Sequence, residues 1–167
     1  MSRIVAPEKT SIALSSLTHA ISTYRSAGAT AHVVFMQSYL GMALAALGQL
    51  EEGRGCNDEA MIIAERTGER WFDAEISRVA GEMELLSPGR DAAKAQACFE
   101  RALEIARAQQ ARSWELRAAT SLARLWREQG RRAEALDLLA PIYGWFTEGF
   151  DTRDLKEAKA MLDALAS

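Results

Sequence analysis

Apolar positions recur through this chain at helical spacing. The clearest run is AKAQACFERALEIA, where Ala95, Phe99, Ala102, Leu103 and Ile105 form one stripe on a helix. Three phrases share a design: LGMALAALGQLEEG at 40–53, AGEMELLSPGRDAAKA at 80–95 and SLARLWREQGRRAEALDLL at 121–139. Each places a small residue after an apolar one (Leu40-Gly41, Ala80-Gly81, Leu122-Ala123), breaks at glycine or Ser-Pro-Gly, and resumes a second helical pattern. The small residues lie 40 and 42 residues apart, the mark of an internal repeat whose unit is helix, turn, helix.

The pattern predicts eight helices. A lone first helix spans about 8–27, followed by three hairpins: 31–47 with 50–66, 71–86 with 91–109, and 113–129 with 131–148. A closing helix begins after Asp151 or Thr152, either of which can cap it, and carries Leu155, Ala158, Met161, Leu162 and Leu165. Packed helices approach to about 8–10 Å, so glycine or alanine at each crossing has a steric reason, and a bulky side chain at Gly81 is expected to push the helices apart. Hairpins with apolar flanks on both sides hold only against neighbours, so the ends need covering. The closing helix can cover Tyr143, Trp145, Phe146 and Phe150; the alternative is an exposed aromatic docking site. The first helix looks like the second half of a unit whose first half is missing, which suggests a piece of a longer protein or an end that pairs with another copy as a homodimer.

Composition narrows the class. The chain has 167 residues, 49% hydrophobic, 26% charged, with three prolines, which suits one folded domain over 1–167. A net charge of -3 with interspersed signs gives no draw toward nucleic acid or anionic membrane, so neither is expected as a partner. No apolar run reaches the roughly 20 residues needed to span a bilayer. MSRIVAPEKTS is too charged for a secretory signal, so a cytoplasmic protein is expected. Cys56 and Cys98 fall at equivalent places in successive units, beyond the roughly 7 Å disulfide limit, and are expected to stay unpaired. With only His19 and His32 there is no metal-ligand spacing, and no metal or other cofactor is expected.

The phrases resemble the tetratricopeptide repeat. Leu122-Ala123, Trp126, Gly130 and Ala135 match its pattern in the last unit, and Gly81, Ala95, Phe99 and Ala102 match it in the middle one. The first unit shows Leu40-Gly41, Leu44, Gly48 and Ala60 but departs at Gly53 and Asn57, where alanine and an aromatic belong. Its second helix is therefore expected to pack loosely. The spacing also exceeds the family's usual length of about 34 residues. The resemblance implies a right-handed α-solenoid of three hairpins, with a lone N-terminal helix and a C-terminal capping helix. Residues 66–166 further resemble the C-terminal helical-repeat region of large bacterial signal-transducing ATPases, including those with a class III adenylate or guanylate cyclase domain. That likeness implies a scaffold or sensor segment; neither a phosphate loop nor a cyclase domain is present in this chain.

In such a fold the first helices line a concave face. Offsets of −6, −3, +1 and +4 from the small residue give Phe35, Ser38, Met42 and Ala45, then Glu75, Arg78, Glu82 and Leu85, then Arg117, Thr120, Arg124 and Arg127. A protein or peptide partner with an apolar end and an acidic end would suit this groove, with Arg117 and Arg124 holding a carboxylate. The alternative is that Glu75 and Glu82 simply pair with Arg117 and Arg124 across it. No asparagine or lysine stands at these positions, unlike the family variant that clamps chaperone tails. Enzymatic readings find no support: Glu82 and Glu84 do not share a helix face, neither cysteine has a histidine nearby in sequence or an evident electropositive turn, and no nucleophile constellation is visible. The expected function is therefore non-catalytic. A small-molecule sensor built around Phe35, Trp71 or Trp114 and a purely structural dimerisation piece stand as the other readings.

Overall fold

The computed structural model describes residues 7–166; residues 1–6, on which the argument against a secretory signal partly rests, and residue 167 lie outside the described residues. Among the described residues there are eight α-helices, one three-residue 3-10 turn and no strand, so the all-α expectation stands. No described helix is long and apolar enough to cross a membrane. The chain groups into two compact units, one ending at Phe72 and the other beginning at Asp73.

The first unit contains α1 (Pro7–Ser26), α2 (Thr30–Ala46), α3 (Leu50–Thr67) and the 3-10 turn Arg70–Phe72. Here α2 packs against both α1 and α3. The α2–α3 contact is close: a Cβ added at Gly53 would lie 2.6 Å from the Gly41 carbonyl oxygen and 3.2 Å from the Ala45 methyl. This corrects the expectation of a loosely packed α3. The missing alanine and aromatic do not leave a gap, because the glycine lets the α3 backbone settle onto α2, where the Ser38 hydroxyl donates to Asn57 Oδ1 at 2.7 Å.

The second unit contains α4 (Asp73–Leu86), α5 (Ala92–Ala108), α6 (Arg112–Glu128), α7 (Arg132–Tyr143) and α8 (Arg153–Ala166). Each of α4 to α7 packs on the next, α4 lies directly against α6, and α8 packs on both α6 and α7. Its core joins Phe99, Leu103, Leu116, Leu122, Leu139 and Leu155 with a run of alanines. Small residues permit the tight layers: a Cβ on Gly81 would sit 2.5 Å from Phe99 Cε1, so the ring edge fills the space glycine leaves. Asp91 caps α5 by accepting from the Lys94 backbone N–H at 3.0 Å.

Two predicted helices end differently from expectation. The helix expected over 71–86 begins at Asp73, because Gly68 ends α3 at φ +74° and the chain then tightens into the 3-10 turn that buries Phe72. The helix expected over 131–148 stops at Tyr143. Pro141 removes one backbone donor from its last turn, and the chain continues in short turns, with Trp145 N–H donating to the Ile142 carbonyl at 3.4 Å and Phe146 N–H to the Tyr143 carbonyl at 3.1 Å. Consequently α8 covers only part of the aromatic end. Tyr143 and Phe146 pack on the core, whereas Trp145 and Phe150 stay exposed, with the Arg112 guanidinium 5.0 Å from the Trp145 ring centre. In the α5 stripe Phe99, Ala102 and Leu103 are buried as expected, and Ala106 rather than Ile105 completes the buried face.

Four of the links share one joint. Three residues separate α1 from α2, α2 from α3, α5 from α6, and α6 from α7. In each the third residue's N–H reaches back five positions: Ala29 to Tyr24, Gln49 to Leu44, Ala111 to Ala106 and Arg131 to Trp126, at 2.8–3.0 Å. This is the Schellman closure, which needs a left-handed residue in the middle. Gly130 supplies it at φ +80°, and Gln110 adopts it at φ +54° without glycine's freedom.

Candidate functional site

The densest polar arrangement lies where α4 meets α6. Helical spacing puts Glu75, Arg78 and Glu82 on one face of α4, and Arg117, Ser121 and Arg124 on one face of α6. The helices meet with a constant offset of 42 residues, so Glu75 faces Arg117 and Glu82 faces Arg124. The pairing across the face, anticipated as one of two alternatives, is what the side chains do.

At its centre is Glu75, 1% exposed. Arg78 grips the carboxylate with Nε on Oε2 and Nη2 on Oε1, both at 2.8 Å. Arg117 grips it again, with Nη2 on Oε1 at 2.6 Å and Nε on Oε2 at 3.1 Å. Two guanidinium forks thus satisfy a single buried carboxylate, the geometry in which arginine differs from lysine. Burial alone would favour the neutral acid, but the hydrogen bonds and charges of Arg78 and Arg117 outweigh it and hold the carboxyl below its ordinary value. Both arginines are in turn held charged by Glu75 against the cost of burial.

The network extends in both directions. Arg117 Nη1 donates to Asp154 Oδ1 of α8 at 2.8 Å. Toward the other end, Glu82 Oε1 accepts from the Ser121 hydroxyl at 2.7 Å, from Arg78 Nη1 at 2.9 Å and from Arg124 Nη1 at 3.4 Å. Three acids, Glu75, Glu82 and Asp154, therefore balance three guanidiniums, Arg78, Arg117 and Arg124. With Glu75 held as the ion between two guanidiniums, the centre of this cluster is built to keep its charges in place and not to pass a proton.

The other residues expected on this face fall into different settings. Arg127 is half-buried, and its guanidinium makes no hydrogen bond or ion pair with any described residue. Leu85 packs on the core. Thr120 is buried, and its hydroxyl donates to the Leu116 carbonyl of its own helix at 2.7 Å, so it is not offered to a groove. In the first unit Ser38 is likewise buried and committed to Asn57, Ala45 is buried, and Met42 is half-buried. The offset rule fails at Ser38 and Thr120 because each sits at the seam between packed helices rather than on its rim. Phe35 is half-buried within a run of rings, 6.0 Å from His32, 6.2 Å from both Tyr39 and Phe72, and 6.3 Å from Trp71.

Sequence reasoning missed Ser121, Asp154 and Asn57 as structural partners. Asp154 had no signal, because α8 stands outside the repeat register. A second acid, Glu115, went unremarked although Arg107 and Arg112 hold it at 2.9 and 2.7 Å; burial opposes its ionisation, but the two arginines keep its carboxyl below the ordinary range. Among the described residues no group of three or more His, Cys, Asp or Glu could hold a metal ion. Cys56 and Cys98 are free, half-buried thiols, each pushed up by burial and then by a nearby glutamate, which makes them poor nucleophiles. No protein-family model matches the chain, and no curated protein matches it.

Proposed function

We propose that this protein is a non-catalytic protein-binding module of a bacterial signalling or regulatory system. On this reading it is a solenoid of tetratricopeptide-like hairpins that receives an extended peptide segment of a partner on the face between α4 and α6. The observation that carries the reading is the constant 42-residue offset with which α4 and α6 stand side by side, Glu75 on Arg117 and Glu82 on Arg124. A repeat held in register presents a regular, rigid polar face, and rigid presentation of that kind suits recognition of a segment more than turnover of a substrate. The chemistry of the chain supports the same reading, since the Glu75 carboxylate is held ionised by two arginines and the two thiols are disfavoured as thiolates.

The test is a panel of synthetic peptides varied in apolar and acidic content, titrated against the purified chain by fluorescence anisotropy. Saturable binding by peptides with an apolar stretch next to acidic residues is expected, with the peptide recovered unchanged. Binding that follows net peptide charge alone, whatever the order of residues, would overturn it.

A further inference from the structure

The face between α4 and α6 is electrically complete except at one end. Glu75 lies opposite Arg117 and Glu82 opposite Arg124, and one turn further along α4 the same 42-residue offset brings Leu85 into register with Arg127. The side chain in register with that arginine is aliphatic and not an acid. Arg127 is therefore left as a cation with no partner among the described residues. Its neighbour one turn back is weakly held. Arg124 has a single 3.4 Å contact with Glu82 Oε1, an oxygen already engaged at 2.7 and 2.9 Å by Ser121 and Arg78. The Arg124 side chain is 38% exposed, against 24% for Arg117 and 13% for Arg78. Arg124 and Arg127 are three residues apart on α6, the spacing that places two side chains next to each other on a helix surface.

Building on the proposed peptide-binding role, we propose that Arg124 and Arg127, and not Arg117, read an acidic side chain of the bound segment. Its carboxylate bridges the two guanidiniums, and an adjacent apolar side chain of the segment lies toward Leu85 and the exposed Leu86. The choice of occupant rests on charge. Recruiting Arg117 would strip a buried carboxylate of one of its two forks and break the link to Asp154. Recruiting Arg124 gives up only a long contact, on an oxygen that keeps two shorter ones. The incoming carboxylate then supplies the charge that Arg127 lacks. Two guanidiniums on one carboxylate is the arrangement already built at Glu75, with the acid here coming from the partner instead of the chain.

The experiment takes the tightest peptide from the panel and its Glu→Gln versions against wild type, Arg124→Gln and Arg127→Gln, with circular dichroism confirming the fold. The Arg127 guanidinium holds no described partner, so its substitution removes no hydrogen bond or ion pair of the fold. Expected is a loss of about tenfold in wild-type affinity when the critical glutamate becomes glutamine, and no difference between the two peptides with Arg127→Gln. A wild type that binds both peptides equally overturns this inference while leaving the peptide-binding role intact. Discrimination that persists in both variants also overturns it. If no peptide binds wild type at all, the peptide-binding role falls and this inference with it.

Discussion

Asn57 in α3 and Phe99 in α5 stand 42 residues apart, and both are buried against the preceding helix of their own hairpin. Phe99 fills its place with a ring edge pressed on Gly81, so the small residue is needed on the first helix of the pair. Asn57 fills the same place with a smaller, polar side chain. There the second helix supplies the glycine: Gly53 closes on the Gly41 carbonyl, and Ser38 satisfies the amide. One hairpin is closed by apolar volume and the other by backbone proximity and a buried hydrogen bond. A hairpin's closeness can therefore be conserved while the chemistry that produces it changes. What must be kept is the complement, a small residue facing a large one or a donor facing an acceptor, and not either residue alone.

That difference can be broken from either side. The largest effect is expected from Phe99→Ala, which leaves a cavity above Gly81 and should cost about 3–5 kcal/mol in urea unfolding, with hydrogen exchange rising in α4 and α5. Next comes Glu75→Gln, at about 3 kcal/mol, near the lower end of the cost of breaking a buried pair because Arg117 keeps Asp154. Its pH dependence carries a definite sign. The folded carboxyl sits below the ordinary value of 4.5, so its stabilisation is fully present above that value and is lost as pH falls through and below it. The gap between wild type and Glu75→Gln in thermal unfolding should therefore narrow on acidification below pH 4.5; a constant gap would mean that Glu75 is not held as the ion. The smallest effect is expected from Asn57→Ala, about 1–3 kcal/mol for stranding the Ser38 hydroxyl, with exchange rising in α2 and α3 but not in α4 to α8. If that variant cost as much as Phe99→Ala, the two closures would not differ in kind.

Much of this was legible in the sequence, and the boundary is physical. Helical periodicity located all eight helices, and the spacing of Gly41 and Gly81 anticipated two close approaches between helices, with Ala123 buried in the core. The same spacing put Glu75 opposite Arg117 and Glu82 opposite Arg124. Side chains that act across the register were less visible. Arg78 turns back along its own helix to Glu75, a choice that depends on Glu75 being buried, which spacing does not reveal. Asp154 belongs to a helix outside the repeat, so no offset points to it. Gly53 read as a defect because a consensus scores one position at a time, whereas its close approach to Gly41 is a property of a pair. The end of α7 was overrun because the apolar run continues through Trp145 and Phe146, past the proline that weakens its last turn.

The three-residue joint has a consequence for how such a chain can change its length. It is closed by backbone groups and recurs four times with the same length and the same closing hydrogen bond. A helix copied out of one place therefore meets a matching junction on both sides wherever it is spliced between two such joints. Duplication or deletion of a segment bounded by them requires no new turn to be invented. The joint works as a standard coupling, and α2 and α6, each set between two of them, are the helices that such a splice moves without altering a turn.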